Sequence, residues 1–263
     1  MVSDELWSLI EPLLPAPLPK QAEGRPRVPD RQALCGILFV LHTGIQWECL
    51  PQELGFGSGM TCWRRLAAWN DAGVWDQLHL VLLRKLRVAK KLDWSRAVID
   101  SSHVRAGSAG PQSGPSPVDR ARPGSKHHLI VDGQGIPLAV SLTGGNRNDV
   151  TQLMPLLNKI PPVAGLVGRP RRRPDTLLAD RGYDHDEYRR LVRATGVKPM
   201  IARRGVPHGS GLGVYRWVVE RTIAWLHGFR WLRLRRERRD DIHEAFLGLA
   251  TCLITHRHVP RLC

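Results

Sequence analysis

The sequence predicts an α/β fold in two parts. A small all-α N-terminal domain covers about residues 1–90, and a mixed five-stranded sheet flanked by helices covers residues 91–263. Three observations predict this. Up to about residue 90 apolar residues recur at helical spacing. From Arg96 onward short apolar runs appear, bounded by Gly, Pro, Asp and Ser. Those runs then alternate with helical segments, in the succession three strands, helix, strand, helix, strand, helix.

The first helix carries Leu6, Ile10, Leu13 and Leu14 on one stripe and is closed by the proline-rich stretch Pro15 to Pro19. Residues Gln21 to Pro29, with Gly24, Arg25, Pro26 and Arg27, read as a basic linker. Asp30 is a plausible N-cap for a helix from Arg31 to about His42, which Gly44 ends. A compact connection through Ile45-Gln46-Trp47 and Leu50-Pro51 leads to a third helix, about Thr61 to Asn70. Trp63, Leu66 and Trp69 point inward there, and Arg64 and Arg65 project from other faces. A fourth helix, about Val74 to Leu86, follows Gly73. Helix, turn and helix with a basic second member is compatible with helix-turn-helix DNA binding. A structural or dimerising bundle fits the same pattern.

In the second part, Ala97 to Arg105 reads as a strand, and Gly107 to Gly124 as a loop rich in Gly, Ser and Pro. His128 to Val131 and Ile136 to Leu142 are two strands joined by Asp132-Gly133-Gln134-Gly135, a hairpin signal. A helix over Val150 to Asn158, a strand over Thr176 to Ala179, a helix over Asp184 to Ala194 and a strand over Lys198 to Ala202 follow. Helices over Tyr215 to Phe229 and Asp241 to His256 close the chain. This succession is that of a ribonuclease H-like domain, in which carboxylates at strand ends and on a late helix converge on one edge of the sheet.

The chain has 263 residues, a formal charge of +15 and a pI near 10.6. Such an excess favours a polyanionic partner, nucleic acid ahead of anionic membrane. No run approaches ~18 apolar residues, so no membrane span is expected. The acidic start Met1-Val2-Ser3-Asp4-Glu5 is unlike a signal peptide, and a cytoplasmic location is expected. Cys35, Cys49, Cys62, Cys252 and Cys263 form no Cys-x-x-Cys pair, which argues against a disulfide framework or a zinc knuckle. Buried thiols are expected for the first four and an exposed one for Cys263. The runs Arg169 with Arg171 to Arg173, and Arg230 with Arg233, Arg235, Arg236, Arg238 and Arg239, are candidate DNA tracks; solvated basic faces would read the same.

Three acidic residues carry the chemistry. Asp100 ends the apolar run Ala97-Val98-Ile99, Asp180 ends Thr176 to Ala179, and Glu220 sits on the Tyr215–Phe229 helix. Hard divalent cations take carboxylate oxygens. Two such ions, roughly 3.5–4 Å apart, can activate an attacking oxygen and stabilise a leaving one. Each residue also has a plainer reading. Asp100 and Asp180 could be turn aspartates, with Asp184 and Asp186 competing for the second role. Glu220 could be an ordinary helix partner of Arg216, four residues before it. Arg216, Glu220 and His227 share one helical face.

Taken together, Val98-Ile99-Asp100-Ser101-Ser102-His103, Gly124-Ser125-Lys126-His127-His128, Ala179-Asp180-Arg181-Gly182-Tyr183 and Val219-Glu220-Arg221-Thr222 resemble bacterial insertion-sequence DDE transposases. The chain is similar to the insertion sequence five family, within the insertion sequence four class. Trp7, Leu13, Leu14, Gly44, Trp47, Leu50 and Pro51 resemble that group's helical leader. The resemblance implies that Asp100, Asp180 and Glu220 are the catalytic and metal-binding triad, holding two Mg²⁺ for which Mn²⁺ can substitute. It implies cleavage and strand transfer of DNA by a homodimer assembled on inverted terminal repeats and target DNA, with no membrane. Candidate DNA contacts are Lys126, Arg216, whose fork matches phosphate oxygens, His227, and Arg230 of the basic run, with Arg64 and Arg65 as candidates in the helical leader. The family signature is Tyr, two residues, Arg, three residues, Glu, six residues, Lys. Arg216 and Glu220 fit it, Gly213 stands at the Tyr position with Tyr215 close by, and His227 replaces the Lys. About ten residues separate the last strand from the Glu220 helix, so the large inserted β-domain of some relatives is absent. A decayed, non-catalytic DNA-binding regulator and a nuclease of the same fold that cuts without rejoining are the competing readings.

Overall fold

The computed structural model describes residues 2–17, 26–205, 211 and 213–259. Most of the Gln21–Pro29 linker, and Cys263, lie outside the described residues. Helices α1 (Asp4–Ile10), α2 (Asp30–Thr43), α3 (Gly59–Asp71) and α4 (Val74–Val88) come first. Ser3 and Ser58 cap α1 and α3 by accepting from the Leu6 and Thr61 amides. Pro29, not Asp30, is the N-cap of α2, and Asp30 stands in the first turn, where its charge suits the helix dipole. Gly44 ends α2 at φ 72°, a left-handed conformation that costs any other residue strain.

The sheet follows with β1 (Arg96–Ala106), β2 (Gly114–Pro115), β3 (Pro123–Asp132) and β4 (Pro137–Gly144), then α5 (Leu153–Lys159), β5 (Thr176–Ala179), α6 (Asp186–Ala194) and β6 (Lys198–Ile201). Helix α7 (Gly213–Gly228), the short β7 (Leu234–Arg235) and α8 (Asp240–His256) complete the fold. The main strands lie in the order β4-β3-β1-β5-β6. β1, β3 and β4 pair antiparallel, and β5 and β6 run parallel to β1. The two short strands sit at the ends of longer ones, β2 against β3 and β7 against β1. Both lie in segments without strand periodicity, so their sequence reads only as loop.

The turn after β3 shows why the hairpin signal was reliable. The Asp132 carboxylate is fully buried and accepts from the amides of Asp93 (2.9 Å), Gln134 (2.9 Å) and Ile136 (2.8 Å). A short acceptor side chain and a glycine with φ 90° at Gly135 are what this reversal requires.

Side chains alternate along each strand, so the sheet has two faces. Ala97, Ile99, Leu177 and Ala179 pack on one face with α5, α6 and the end of α4. Val98, Leu129, Val131 and Leu178 pack on the other, in one continuous core with α7, α8 and the first four helices. The N-terminal helices therefore do not enclose a core of their own. Cys62 and Cys252 are buried in that core, Cys35 is half-buried, and Cys49 is exposed because its short 3₁₀ turn lies at the surface. Cys35 and Cys49 thus depart from the burial expected of them.

Two of the basic runs serve the fold. Arg172 donates to the Ile160 carbonyl at 2.9 Å and to that of Asn158, and Arg173 to the Leu157 carbonyl at 2.7 Å. These are the carbonyls at the C-terminal end of α5, where a cation satisfies orphan acceptors. Arg171 bonds Asp175 at 2.5 Å and stacks over Trp94. Arg235 is fully buried, donating to Ser125 Oγ at 2.9 Å and to the Pro111, Glu237 and Arg238 carbonyls. A side chain without solvent access is no DNA track, so Arg235 leaves that set; Arg169, Arg230, Arg233, Arg236, Arg238 and Arg239 remain exposed. Replacing Arg235 with Met strands those four acceptors. Stability is expected to fall by about 2 kcal/mol or more; an unchanged urea midpoint would show that the clamp contributes nothing.

Candidate active site

Asp100 lies within β1 rather than at its end, because β3 stays paired with β1 through Arg105. On the other side the parallel pairing of β1 with β5 stops at Val98↔Leu178. Two residues further on in each segment stand Asp100, still in β1, and Asp180, one residue past the end of β5 with an extended backbone. Strands are spaced about 4.8 Å apart and side chains repeat every second residue. Asp100 and Asp180 thus project to the same side as Val98 and Leu178, the side that α7 covers. The sheet opens at this level, so the carboxylates stand at the edge of the buried face.

Helix α7 packs Val218, Val219 and Leu226 into that face and carries Arg216 and Glu220 beside them. Arg216 donates to Asp100 Oδ2 at 3.3 Å, joining α7 to β1. Glu220, one turn along the same face, is exposed. The second Asp100 oxygen accepts from the Ser101 amide at 2.8 Å. Asp180 caps the 3₁₀ turn Arg181–Tyr183 by accepting from the Gly182 amide at 2.9 Å. The plain reading of Asp180 as a turn residue is thus realised.

Burial pushes the Asp100 carboxyl up to about 6; the Ser101 amide and Arg216 oppose this, and the negative charges of Asp180 and Glu220 add to it. All three acidic groups therefore share one electrostatic neighbourhood. Their donor chemistry fits a hard divalent cation. Among the described residues, however, no three His, Cys, Asp or Glu side chains stand in a ready-made cation cage. Asp100 and Asp180 are instead held by local donors.

The remaining candidates are placed as follows. His227 is half-buried with Nε2 3.2 Å from Ser102 Oγ, and burial, with Arg233, lowers its pKa. It presents a neutral ring where the family signature has a lysine. Lys126 is buried and bound to Asp149 and the Arg147 carbonyl, each at 2.9 Å. Arg65 pairs with Asp30 and donates to the Val28 carbonyl at 3.3 Å, whereas Arg64 is exposed. Arg230 is exposed beyond the end of α7.

Sequence reasoning assigned no role to Asp149 or Tyr183. Tyr183 is buried, and burial with the charges of Asp149, Asp100 and Asp180 raises its hydroxyl well above the usual value. The Asp180-Arg181-Gly182-Tyr183 run was the available signal for Tyr183; nothing in the sequence marks Asp149.

A mixed sheet ordered β4-β3-β1-β5-β6, with acidic side chains where its central parallel strands part, is the ribonuclease H-like class. Within that class the chain belongs to the IS4/5 family of DDE transposases. Residues 94–255 match the family described as "Transposase DDE domain", and residues 2–79 match "Putative transposase of IS4/5 family (DUF4096)". The "Putative transposase for insertion sequence element IS402" of Burkholderia cepacia is 62% identical over 144 residues, 55% of this chain and 68% of that protein. The "Insertion element IS402 uncharacterized 16.2 kDa protein" of the same organism is 56% identical over 119 residues, 44% of this chain and 81% of that protein. A solved structure, "Mos1 transposase paired-end complex with left transposon end", aligns over 92% of this chain and 78% of its own at 11% identity and a TM-score of 0.38. Among the described residues no helix is long and apolar enough to cross a membrane.

Proposed function

We propose that this transposase binds the inverted ends of its insertion sequence as a homodimer and catalyses metal-dependent DNA strand cleavage and strand transfer. The observation that carries the reading is the shared register of Asp100 and Asp180 past Val98↔Leu178, with Arg216 tying the Glu220 helix to Asp100 at 3.3 Å. Asp100, Asp180 and Glu220 would hold two Mg²⁺, or Mn²⁺ in their place. Such ions supply charge that activates the attacking oxygen and steadies the departing one.

The chain's own groups do the positioning. Arg216 offers a planar fork matched to phosphate oxygens and is at hand because it already sits on Asp100. His227, kept neutral, acts through hydrogen bonding rather than charge. The exposed Arg230, Arg233, Arg236 and Arg238 give a salt-dependent grip on the backbone. Lys126 acts by fixing Asp149 more readily than by reaching DNA.

The reading is tested with labelled duplexes carrying the element's ends, incubated with the full chain and Mg²⁺. Nicks at the end junctions and joined products are expected. Nicks without joined products would leave a nuclease, and end binding without nicks a decayed regulator.

Arg64 is the exposed basic residue of α3, and Arg65 is occupied by Asp30. Arg64→Ala is expected to lower the preference for end sequence over random duplex by about fivefold to tenfold. An undiminished preference in gel-shift competition would remove α3 from recognition.

A further inference from the structure

We propose that the tip of the loop over residues 164–170 is an apolar wedge that enters the minor groove of duplex DNA and kinks it, on a basic surface at the opposite end of the sheet from the carboxylates. The loop is braced at its base. The Val163 and Arg171 amides each donate to the other's carbonyl at 2.9 Å. Arg87, only 9% exposed, donates to the Val163 carbonyl and, at 3.5 Å, to that of Arg169. Gly165 and Gly168, at φ 133° and 103°, turn the chain in conformations that suit glycine. Gly165 packs so closely on α4 that a Cβ there would stand 3.0 Å from Val88 Cγ2.

Between the two glycines Leu166 and Val167 stand in water, Val167 completely, and Val88 beside them is exposed as well. Apolar side chains gathered on a braced turn mark a contact surface. Five exposed cations surround it: Arg84, Lys85, Lys90 and Lys91 at the end of α4, and Arg169 in the loop. The helix dipole accounts for some positive charge there. It does not account for Lys90 at φ 55°, the left-handed position where helices ordinarily end on glycine. The nearby carboxylates are already taken, Asp93 by Arg96 at 3.7 Å and Asp175 by Arg171 at 2.5 Å. Among the described residues none pairs with the five cations. Phosphates line both sides of the DNA minor groove, and a side chain such as Leu can wedge between its base steps. A second copy would bring like charges together, and a lipid surface takes a longer apolar face than this tip offers. The chain's transposase family makes DNA the polyanion at hand. From Asp175 to Asp180 the chain follows β5, so about 15 Å separates this end of the strands from the carboxylates. The duplex held here therefore lies beyond the reacting phosphate. The surface rests on the family for the kind of polyanion, and not on the cleavage chemistry.

The test is titration of a random-sequence duplex, labelled at both ends for energy transfer, with the full chain in EDTA at several salt concentrations. The parent should raise energy transfer, because a kinked duplex brings its ends closer. Leu166→Ser combined with Val167→Ser should remove most of that rise and keep the salt dependence of binding. Lys85→Gln combined with Lys91→Gln should lower the slope of log affinity against log salt by about two. Lys90→Gly should lower it by about one with little change in melting temperature, which separates a phosphate contact from a fold contact. If wild type fails to cut element ends but these changes are seen, the transposition reading fails and this surface stands. Unchanged slopes in the lysine variants, or unchanged energy transfer in the Leu166 and Val167 variant, would overturn the proposal. So would binding to phosphatidylserine vesicles that the Leu166 and Val167 variant loses while it still bends DNA, which would make the tip a lipid contact. A shift from dimer to monomer in that variant, with bending unchanged, would overturn it in favour of a contact between copies.

Discussion

Replacing Asp100 with Asn should leave the protein folded and bound to DNA, yet lower strand cleavage by about 10²–10³-fold or more. Asn has the same shape and can still accept from the Ser101 amide, a bond of 2.8 Å in the parent. What it lacks is the negative charge. That charge is costly here, since burial and the nearby Asp180 and Glu220 raise the carboxyl to about 6. Removing it should therefore leave stability unchanged or slightly higher. It also releases Arg216, which loses its carboxylate partner and keeps its affinity for phosphate. Cleavage of labelled ends, gel shift and thermal melting of the same preparation separate these effects. Metal-dependent cleavage near the parental rate would remove Asp100 from the site; equal loss of melting temperature and cleavage would make its role structural.

Acid should unfold this protein well before its acidic residues are fully protonated. Burial lowers His79 and His128 to about 4, His243 to about 3 and His127 well below its usual value. Each is neutral in the fold. His127 and His243 face one another with Nε2 atoms 2.8 Å apart, His227 and His128 lie near the first, and Arg235 lies near both, so these neighbours oppose a proton there. An unfolded histidine takes up its proton near pH ~6.5. Below that value the unfolded state binds more protons than the native one, and stability falls as pH falls, down to the folded values. Asp100 and Asp132, both raised to about 6, work in the opposite direction as pH falls from 6. Four imidazoles outweigh two carboxyls. Glu237 and Glu244 are also raised, and His42, His103, His227 and His258 also lowered, so the sign holds.

Each unbalanced proton is worth about 1.4 kcal/mol per pH unit. Two pH units can then remove several of the ~5–15 kcal/mol that hold a domain folded. Urea midpoints between about pH 7.5 and 4.5 should fall steeply below pH ~6.5. A flat or rising midpoint would mean that these rings are reached by water or already charged.

Local structure was readable where a residue's own chemistry decides it. Gly44 ends α2, Asp132 to Gly135 turn the hairpin, and Thr176–Ala179 is β5 residue for residue, because caps, turns and apolar runs act within a few positions. Arginine was the least readable residue. Arg235 is sealed in the core, Arg65 pairs with Asp30, and Arg172 and Arg173 close the end of α5. In the sequence they look the same as the exposed Arg64 and Arg230. A charge shows that a partner is needed; it does not say whether a carbonyl, a carboxylate or DNA will be that partner.

The same division holds for the acidic residues. The chain by itself determined which side chains end apolar runs, which helix carries Glu220, and the surplus of positive charge, since these depend on order and composition. Only the tertiary structure decided that β5 pairs with β1 in the register Val98↔Leu178 and that α7 lies across the face where Asp100 emerges. Pairing between segments some eighty residues apart is chosen by the packing of both sheet faces at once, and no local stretch contains that information.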